Sequence, residues 1–278
     1  MPAPDASAVV DVVAPVPGGP VDLEQWLNGV GQVFVEIRAH DSGCTSYGIT
    51  VDGTRWFYKA AYGVDRHQLR AAIRVHARLR HRAVVTLAAD FPVAHDGHVL
   101  VYPWVDGDNL NDPYVAGSGP ATDPGSALNR FRALPLAEVL AAYDTLLDAH
   151  VAVADAGLVA VDLYDGCLMY DFEARRLHLV DLDLYRPPYT LELDRQYGSR
   201  RLMPPEELAR GSRIDQRATV FTLARLARHL LCGPGGDEQT FRAGPARLRE
   251  SERATRPNPQ ERHHDVRSFV AAWRAAAE

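Results

Sequence analysis

The side chains of this chain with chemistry to offer are a few carboxylates, a lysine among arginines and a proline-rich turn. Asp162 lies in Val159-Ala-Val-Asp-Leu-Tyr-Asp-Gly-Cys-Leu-Met-Tyr170, and Asp181 and Asp183 end the apolar run Leu177-His-Leu-Val-Asp-Leu-Asp183. Carboxylate oxygens are hard donors of the kind Mg²⁺ takes. In an extended segment Asp181 and Asp183, two residues apart, point to one face. Taken singly, Asp162 and Asp181 also suit acids that cap turns at strand ends. Cys167 offers a thiol, a poor ligand for Mg²⁺, and Asp165 in the same loop suits a turn cap. Lys59 ends the aromatic run Thr54-Arg-Trp-Phe-Tyr-Lys-Ala60 in a chain whose basic residues are nearly all Arg. Its amine either reaches inward to anionic oxygens or stands exposed at the strand end.

The elements that must position these groups fall into a strand-rich first third and a helical remainder. Gln32-Val-Phe-Val-Glu-Ile-Arg38 mixes β-branched and aromatic residues as strands do. Asp41-Ser-Gly-Cys-Thr-Ser-Tyr-Gly48 is a turn cluster, and Gly48–Val51 a second strand. Asp52-Gly53 signals a hairpin into the strand that carries Lys59. A helix follows with Leu69, Ala72, Ile73, His76 and Leu79 on one face. Strands are expected over Val84–Phe91 and His98–Trp104, with Asp96-Gly97 turning between them. Gly and Pro at 113, 117, 119, 120, 124 and 125 mark residues 111–133 as a loop insertion. Leu136, Val139, Leu140, Tyr143, Leu146, Leu147, His150, Val151 and Ala154 then follow helical spacing, and Gly157 stops that helix. A helix over about Asp215–Leu231 is apolar on most sides and is expected in the core. The last helix carries Val266, Phe269, Val270 and Trp273.

Composition narrows the classes. With 278 residues at 46% hydrophobic, the chain can bury a substantial core as one large domain or two lobes. A net charge of −6 argues against a nucleic-acid footprint, which is usually basic; the arginines of residues 70–82 suit the wet face of a helix. No apolar run approaches the roughly 20 residues of a membrane span. Residues 1–22 begin rich in Pro, Ala, Val and Gly without a basic n-region, which fits a flexible arm better than a signal peptide. Cys44, Cys167 and Cys232 are odd in number and lack metal-type spacing, as expected of reduced thiols in the cytoplasm.

The most informative stretch is Gly198-Ser-Arg-Arg-Leu-Met-Pro-Pro-Glu206. With Asp162, Asp181 and Arg262 it resembles the end of a protein-kinase activation segment, Gly-Thr-x-x-Tyr-Met-Ala-Pro-Glu. Residues 159–170 resemble the catalytic loop His-Arg-Asp-Leu-x-x-x-Asn, and Leu177–Asp183 the strand that ends in Asp-Phe-Gly. Asn258-Pro-Gln-Glu-Arg262 resembles the turn whose Arg pairs with the Glu of the Pro-Glu motif. The resemblance, over about residues 30–275, is to the protein-kinase-like superfamily and to a divergent bacterial serine/threonine kinase branch. It implies an α+β, bilobal fold: an N-lobe over 23–103 with a five-stranded antiparallel sheet and its αC helix, a hinge over 104–110, and a mainly helical C-lobe over 111–278. It implies ATP with Mg²⁺ (or Mn²⁺), Asp162 orienting the acceptor, and Lys59 acting in catalysis and cradling phosphate. Gly43, Tyr102, Trp104 and Asp181 would also meet the nucleotide, and Asp181 and Asp183 the metal. The turn cluster takes the place of the glycine-rich loop, with only Gly43 and Gly48 remaining.

The chain also departs from the family pattern. Ala160-Val161 replace His-Arg, Tyr164 the lysine two residues after the Asp, Cys167 the metal-binding Asn, and Asp183 the Gly of Asp-Phe-Gly. The αC glutamate is absent, its place falling near Ala72; His76 is a replacement or a packed core histidine. Thr219 stands where a helical Asp supports the catalytic loop, and its hydroxyl can make one bond there. Three functions compete: a kinase of a Ser/Thr hydroxyl on a protein or peptide, a kinase of a small-molecule hydroxyl such as a sugar or antibiotic, and a pseudokinase that binds without transfer. The Pro-Pro-Glu ledge favours the first over the second. Cys167, Ala160-Val161 and the missing αC glutamate favour the third over both. The retained Asp162, Asp181 and Lys59 argue back towards an enzyme, and the first is the function expected.

Overall fold

The computed structural model describes residues 13–38, 43–111, 123–196, 198 and 200–277. These group into two compact units, one from residues up to Arg66 together with Leu87–Trp104, the other from His67–Thr86 together with Val105 onward. In all the described residues form an α+β structure.

The first unit is a five-stranded antiparallel sheet. Its strands are β1 (Gln32–Ile37), β2 (Thr45–Val51), β3 (Thr54–Tyr62), β4 (Ala89–Val93) and β5 (Gly97–Pro103), in the order β1-β2-β3-β5-β4. Asp52 and Gly53 both take positive φ, 48° and 78°, as a two-residue hairpin requires. Alternation sends Tyr47, Ile49, Trp56, Tyr58, Ala60, Val99 and Val101 to one buried face. A short helix, α1 (Leu23–Val30), seals that face with Leu23 and Leu27 and starts at Asp22, whose side chain accepts from Gln25 N. Trp26 meets the rings of Tyr58 and Phe91 at 6.1 and 5.8 Å. Part of the expected flexible arm is thus anchored: Ala14 is buried, Tyr58 OH donates to Pro15 O at 2.8 Å and Ala94 N to Val21 O at 2.9 Å. Residues 1–12 lie outside the described residues.

The second unit is mainly helical: α2 (Arg66–Arg78), α3 (Ala127–Ala133), α4 (Leu136–Asp155), α5 (Gln216–Leu230), α6 (Pro245–Ala254) and α7 (Val266–Ala275). A small sheet, β6 (Asp108–Asn109), β7 (Leu168–Asp171) and β8 (Arg176–Leu179), and the pair β9 (Tyr189–Thr190) with β10 (Arg213–Ile214) carry the loops between them. As expected, α5 is buried on most sides, through Ala218, Val220, Leu223, Ala224, Leu226, Ala227 and Leu230. Tyr143 of α4 donates to Leu223 O and packs edge-on against Trp273 of α7.

Three expectations need correction. The fourth strand starts at Ala89 rather than Val84, because Leu179 N donates to Ala83 O and Val84 forms a parallel bridge to Leu179. Residues 67–86 therefore belong with the second unit, whose core takes in Val75, Leu79, Ala83 and Val84. The 111–133 stretch is not all loop: Ser126 caps α3 by accepting from Asn129 N, and Leu128 and Phe131 bury its inner face; residues 112–122 lie outside the described residues. Among the described residues no helix is long and apolar enough to cross a membrane.

Candidate functional site

In the first unit, Lys59 pairs across the sheet with Ser46 of β2 and Leu100 of β5, on the face opposite the buried core. Phe57, two residues earlier, shares that face and pairs with Gly48 and Tyr102. Gly48 has no room for a side chain: a Cβ would meet ring atoms of Phe34 and Trp104 at 2.8 Å. Phe34 and Trp104 stand edge-to-face at 4.8 Å, and Phe57 lies 6.5 Å from Tyr102 and 6.4 Å from Trp104. Two expected nucleotide residues, Tyr102 and Trp104, are thereby gathered with Phe34 and Phe57, which were not expected. Lys59 is the only lysine in the chain. Gly43 stands apart from this group: at φ 71° it lies against the Asp65 carboxylate, where a Cβ would be 2.4 Å from Oδ2. That acid weakens the case for Gly43 as a phosphate cover.

In the second unit, Asp162 and Asp181 both hold the left-handed backbone, at φ 58° and 59°. A non-glycine residue pays for this conformation in strain, and such strain collects at functional sites. Cys167 fastens the two segments. Its thiol donates to Asp162 O at 3.3 Å, and its carbonyl accepts from Val180 N at 2.9 Å. Burial raises the Cys167 pKa well above its ordinary value, and the charges of Asp181 and Asp162 push the same way. The neutral thiol therefore braces the Asp162 loop against the end of β8. Thr219 of α5 makes the bond anticipated for it, accepting from Ala160 N at 3.0 Å.

Asp183 does not share a face with Asp181. The left-handed turn at Asp181 ends the extended course, Tyr185 N closes onto Leu182 O, and Asp183 is buried while Asp181 is exposed. The pairing expected of an extended segment is thus lost. Among the described residues no group of three or more His, Cys, Asp or Glu is placed to hold a metal. Mg²⁺ is commonly bound through one or two carboxylates plus substrate phosphates, so the exposed Asp181 fits that use.

Asp165 is neither a turn cap nor open to a metal. Its carboxylate, 1% exposed, accepts from Arg201 Nη2 at 2.5 Å, His229 Nε2 at 2.7 Å and Asn111 Nδ2 at 3.1 Å. Burial alone would raise its pKa, but the hydrogen bonds from His229 and Asn111 and the charge of Arg201 outweigh it and hold the group ionised. Arg132 Nη2 approaches His229 Nδ1 at 3.0 Å; a guanidinium only donates, so Nδ1 accepts and Nε2 carries the proton toward Asp165. His76 is buried, and burial with the Arg80 charge lowers its pKa to about 4. It is therefore neutral at pH 7.

The segment from Gly198 to Glu206 closes on these groups. Gly198, φ 123°, packs its Cα against Asp162, so that a Cβ would lie 2.2 Å from Oδ1; no other residue fits. Glu206 and Arg262 form a bidentate pair at 2.6 and 2.9 Å with the guanidinium fully buried. Arg262 also donates to Arg217 O, Arg256 O and Pro257 O. Glu207, the next residue, was not singled out from the sequence. It is 3% exposed and lines a small pocket with Asp162, Leu163, Leu202, Met203 and Thr222. No protein-family model and no curated protein matches this chain.

Proposed function

We propose that the chain is an ATP-dependent phosphotransferase of protein-kinase-like fold that acts on a Ser/Thr hydroxyl of a protein or peptide. The observation that carries this reading is the closure of Gly198 on the Asp162 carboxylate, with Glu206 locked to Arg262 behind it. A segment held in this way presents an acceptor ledge beside a carboxylate. The strand order of the first unit and the lysine at the aromatic face support the same reading.

In this reading the acceptor oxygen attacks the γ-phosphorus, the bond to the β-phosphate oxygen breaks, and the hydroxyl proton passes to Asp162. Lys59 neutralises phosphate oxygens, and Phe34, Phe57, Tyr102 and Trp104 offer rings for the base to stack on. Mg²⁺ or Mn²⁺, held by Asp181, would supply neutralisation of the charge that develops on the phosphates. A pseudokinase is the second reading. It is favoured by Cys167, whose neutral thiol braces Asp162 instead of taking a second metal, and by Asp165, whose oxygens are already engaged.

Incubation with γ-labelled ATP and Mg²⁺ or Mn²⁺, alone and with a host lysate, separates these readings when the products are resolved by size. Labelled protein is the expected result. Label in a small molecule would move the acceptor class, and no transferred label would leave the binding module.

A further inference from the structure

Residues 67–86 hold five arginines and three histidines and not one Asp or Glu. Three of the arginines, Arg70, Arg74 and Arg78, stand four residues apart on α2 and are exposed. Side chains at that interval share a helix face, and at the ordinary helical rise the row is about 12 Å long. Leu69, Ala72 and Val75 bury the other side of the helix. Like charges four residues apart repel and weaken a helix, so surface helices usually carry both signs. The chain follows that habit elsewhere: Arg228 of α5 pairs with Glu238, Arg267 of α7 with Asp155, and Arg274 with Asp144 and Asp148. On α2 it does not. Among the described residues Arg70, Arg74 and Arg78 have no ion pair and no hydrogen bond, while Arg80 bends back onto His76 O and Leu79 O. Residues 67–86 supply +5 to a chain whose net charge is −6, which leaves −11 on the rest. The row is a local cationic feature of an acidic molecule.

Its chemistry limits what can cover it. Guanidinium forks match carboxylates two oxygens at a time, and phosphates as well. Insertion into a membrane surface needs an exposed apolar face, and α2 buries its own. A nucleic-acid strand carries its charge well beyond 12 Å and would run on against the negative remainder of the chain. A short acidic stretch of protein can end where the row ends. On a partner helix, carboxylates at every fourth residue repeat at the same interval of about 6 Å.

We propose that α2 docks an acidic helical segment of a partner protein, with Asp or Glu at every fourth position set against Arg70, Arg74 and Arg78. The inference goes beyond the phosphotransferase reading and does not depend on it.

The probe is a fluorescein-labelled, capped alanine peptide with glutamate at every fourth position, and its binding to the full chain is followed by fluorescence anisotropy. The expected result is micromolar binding at low salt that weakens as salt rises. It should fall by about tenfold or more in the triple variant Arg70→Gln, Arg74→Gln, Arg78→Gln, and by a smaller factor in Arg74→Gln alone. Glutamine suits a helix nearly as well as arginine, and melting temperatures check that both variants are folded. The same peptide with glutamine for glutamate should not bind, and one with its glutamates scattered round the helix should bind more weakly. No binding by the parent, equal binding by parent and triple variant, or no preference for the matched peptide over the scattered one overturns the proposal. Labelled oligothymidylate and phosphatidylserine vesicles are titrated beside the peptide. Tighter binding of either through the same three arginines would make the occupant a nucleic acid or a lipid surface and overturn the assignment to an acidic protein segment.

Discussion

Asp181 is exposed, left-handed and joined to the Asp162 loop through Cys167. Asn tolerates the left-handed region as Asp does, so Asp181→Asn removes the charge and keeps the turn. The melting temperature without nucleotide should stay close to that of the parent, while the stabilisation conferred by Mg-ATP is lost; a thermal scan with and without Mg-ATP measures both. Cys167→Ala should behave in the opposite way. It removes a thiol bond to Asp162 O at a fully buried position, costing stability of about 1–2 kcal/mol, yet leaves most Mg-ATP binding by titration calorimetry. The chemical types at positions 59, 162 and 181 were legible because acids and a lysine stand out at the ends of apolar runs. Phe34 and Phe57 were not. Their meeting with Trp104 depends on the register between strands, which a bulge between Val33 and Val35 shifts. The separation of Asp183 from Asp181 was hidden for a similar reason, since the strand turns at Asp181 just after Val180 N bonds to Cys167 O of another loop.

At the scale of elements, the Glu206–Arg262 pair ties the segment before β10 to the Asn258–Arg262 turn before α7. Glu206→Ala leaves a buried guanidinium without its carboxylate and should cost about 3–5 kcal/mol in chemical denaturation, with or without ATP. An unchanged midpoint would contradict the pair. Glu207→Gln should stabilise, and only above acid pH. The folded pKa of Glu207 is raised from 4.5 to about 8, so the folded state holds a proton that the unfolded chain has released. Stability from this group is present in full below pH 4.5 and is lost as pH rises to about 8. The variant should match the parent near pH 4 and exceed it by at most a few kcal/mol near pH 9, since each tenfold difference in proton affinity is worth about 1.4 kcal/mol. Denaturant titrations at the two pH values measure the difference. The pair with Arg262 was legible across more than fifty residues because both ends sit in recognisable turns. α3 was hidden because Gly and Pro dominate the stretch before its Ser126 cap, and α1 because eight residues give little periodicity.

For the whole molecule, the division into a strand-rich first part and a helical remainder was legible from the change of hydrophobic period along the chain. The assignment of residues 67–86 was not, because it depends on Val84 and Val85 bonding to Leu179 nearly a hundred residues later. The central proposal is that the chain uses ATP, with Lys59 acting on its phosphates and Asp181 on its metal. An ATP acyl phosphate transfers its acyl group to a lysine amine held at the phosphates, and this chain has one lysine to receive it. The most direct measurement is mass spectrometry of the protein after such labelling, with and without Mg²⁺ and excess ATP, for the parent and for Asp181→Asn. The expected result is modification at Lys59 that excess ATP blocks and that falls sharply without Mg²⁺ or in Asp181→Asn. Labelling at Lys59 that ATP does not block, or that is equal in Asp181→Asn and without metal, would contradict the claim.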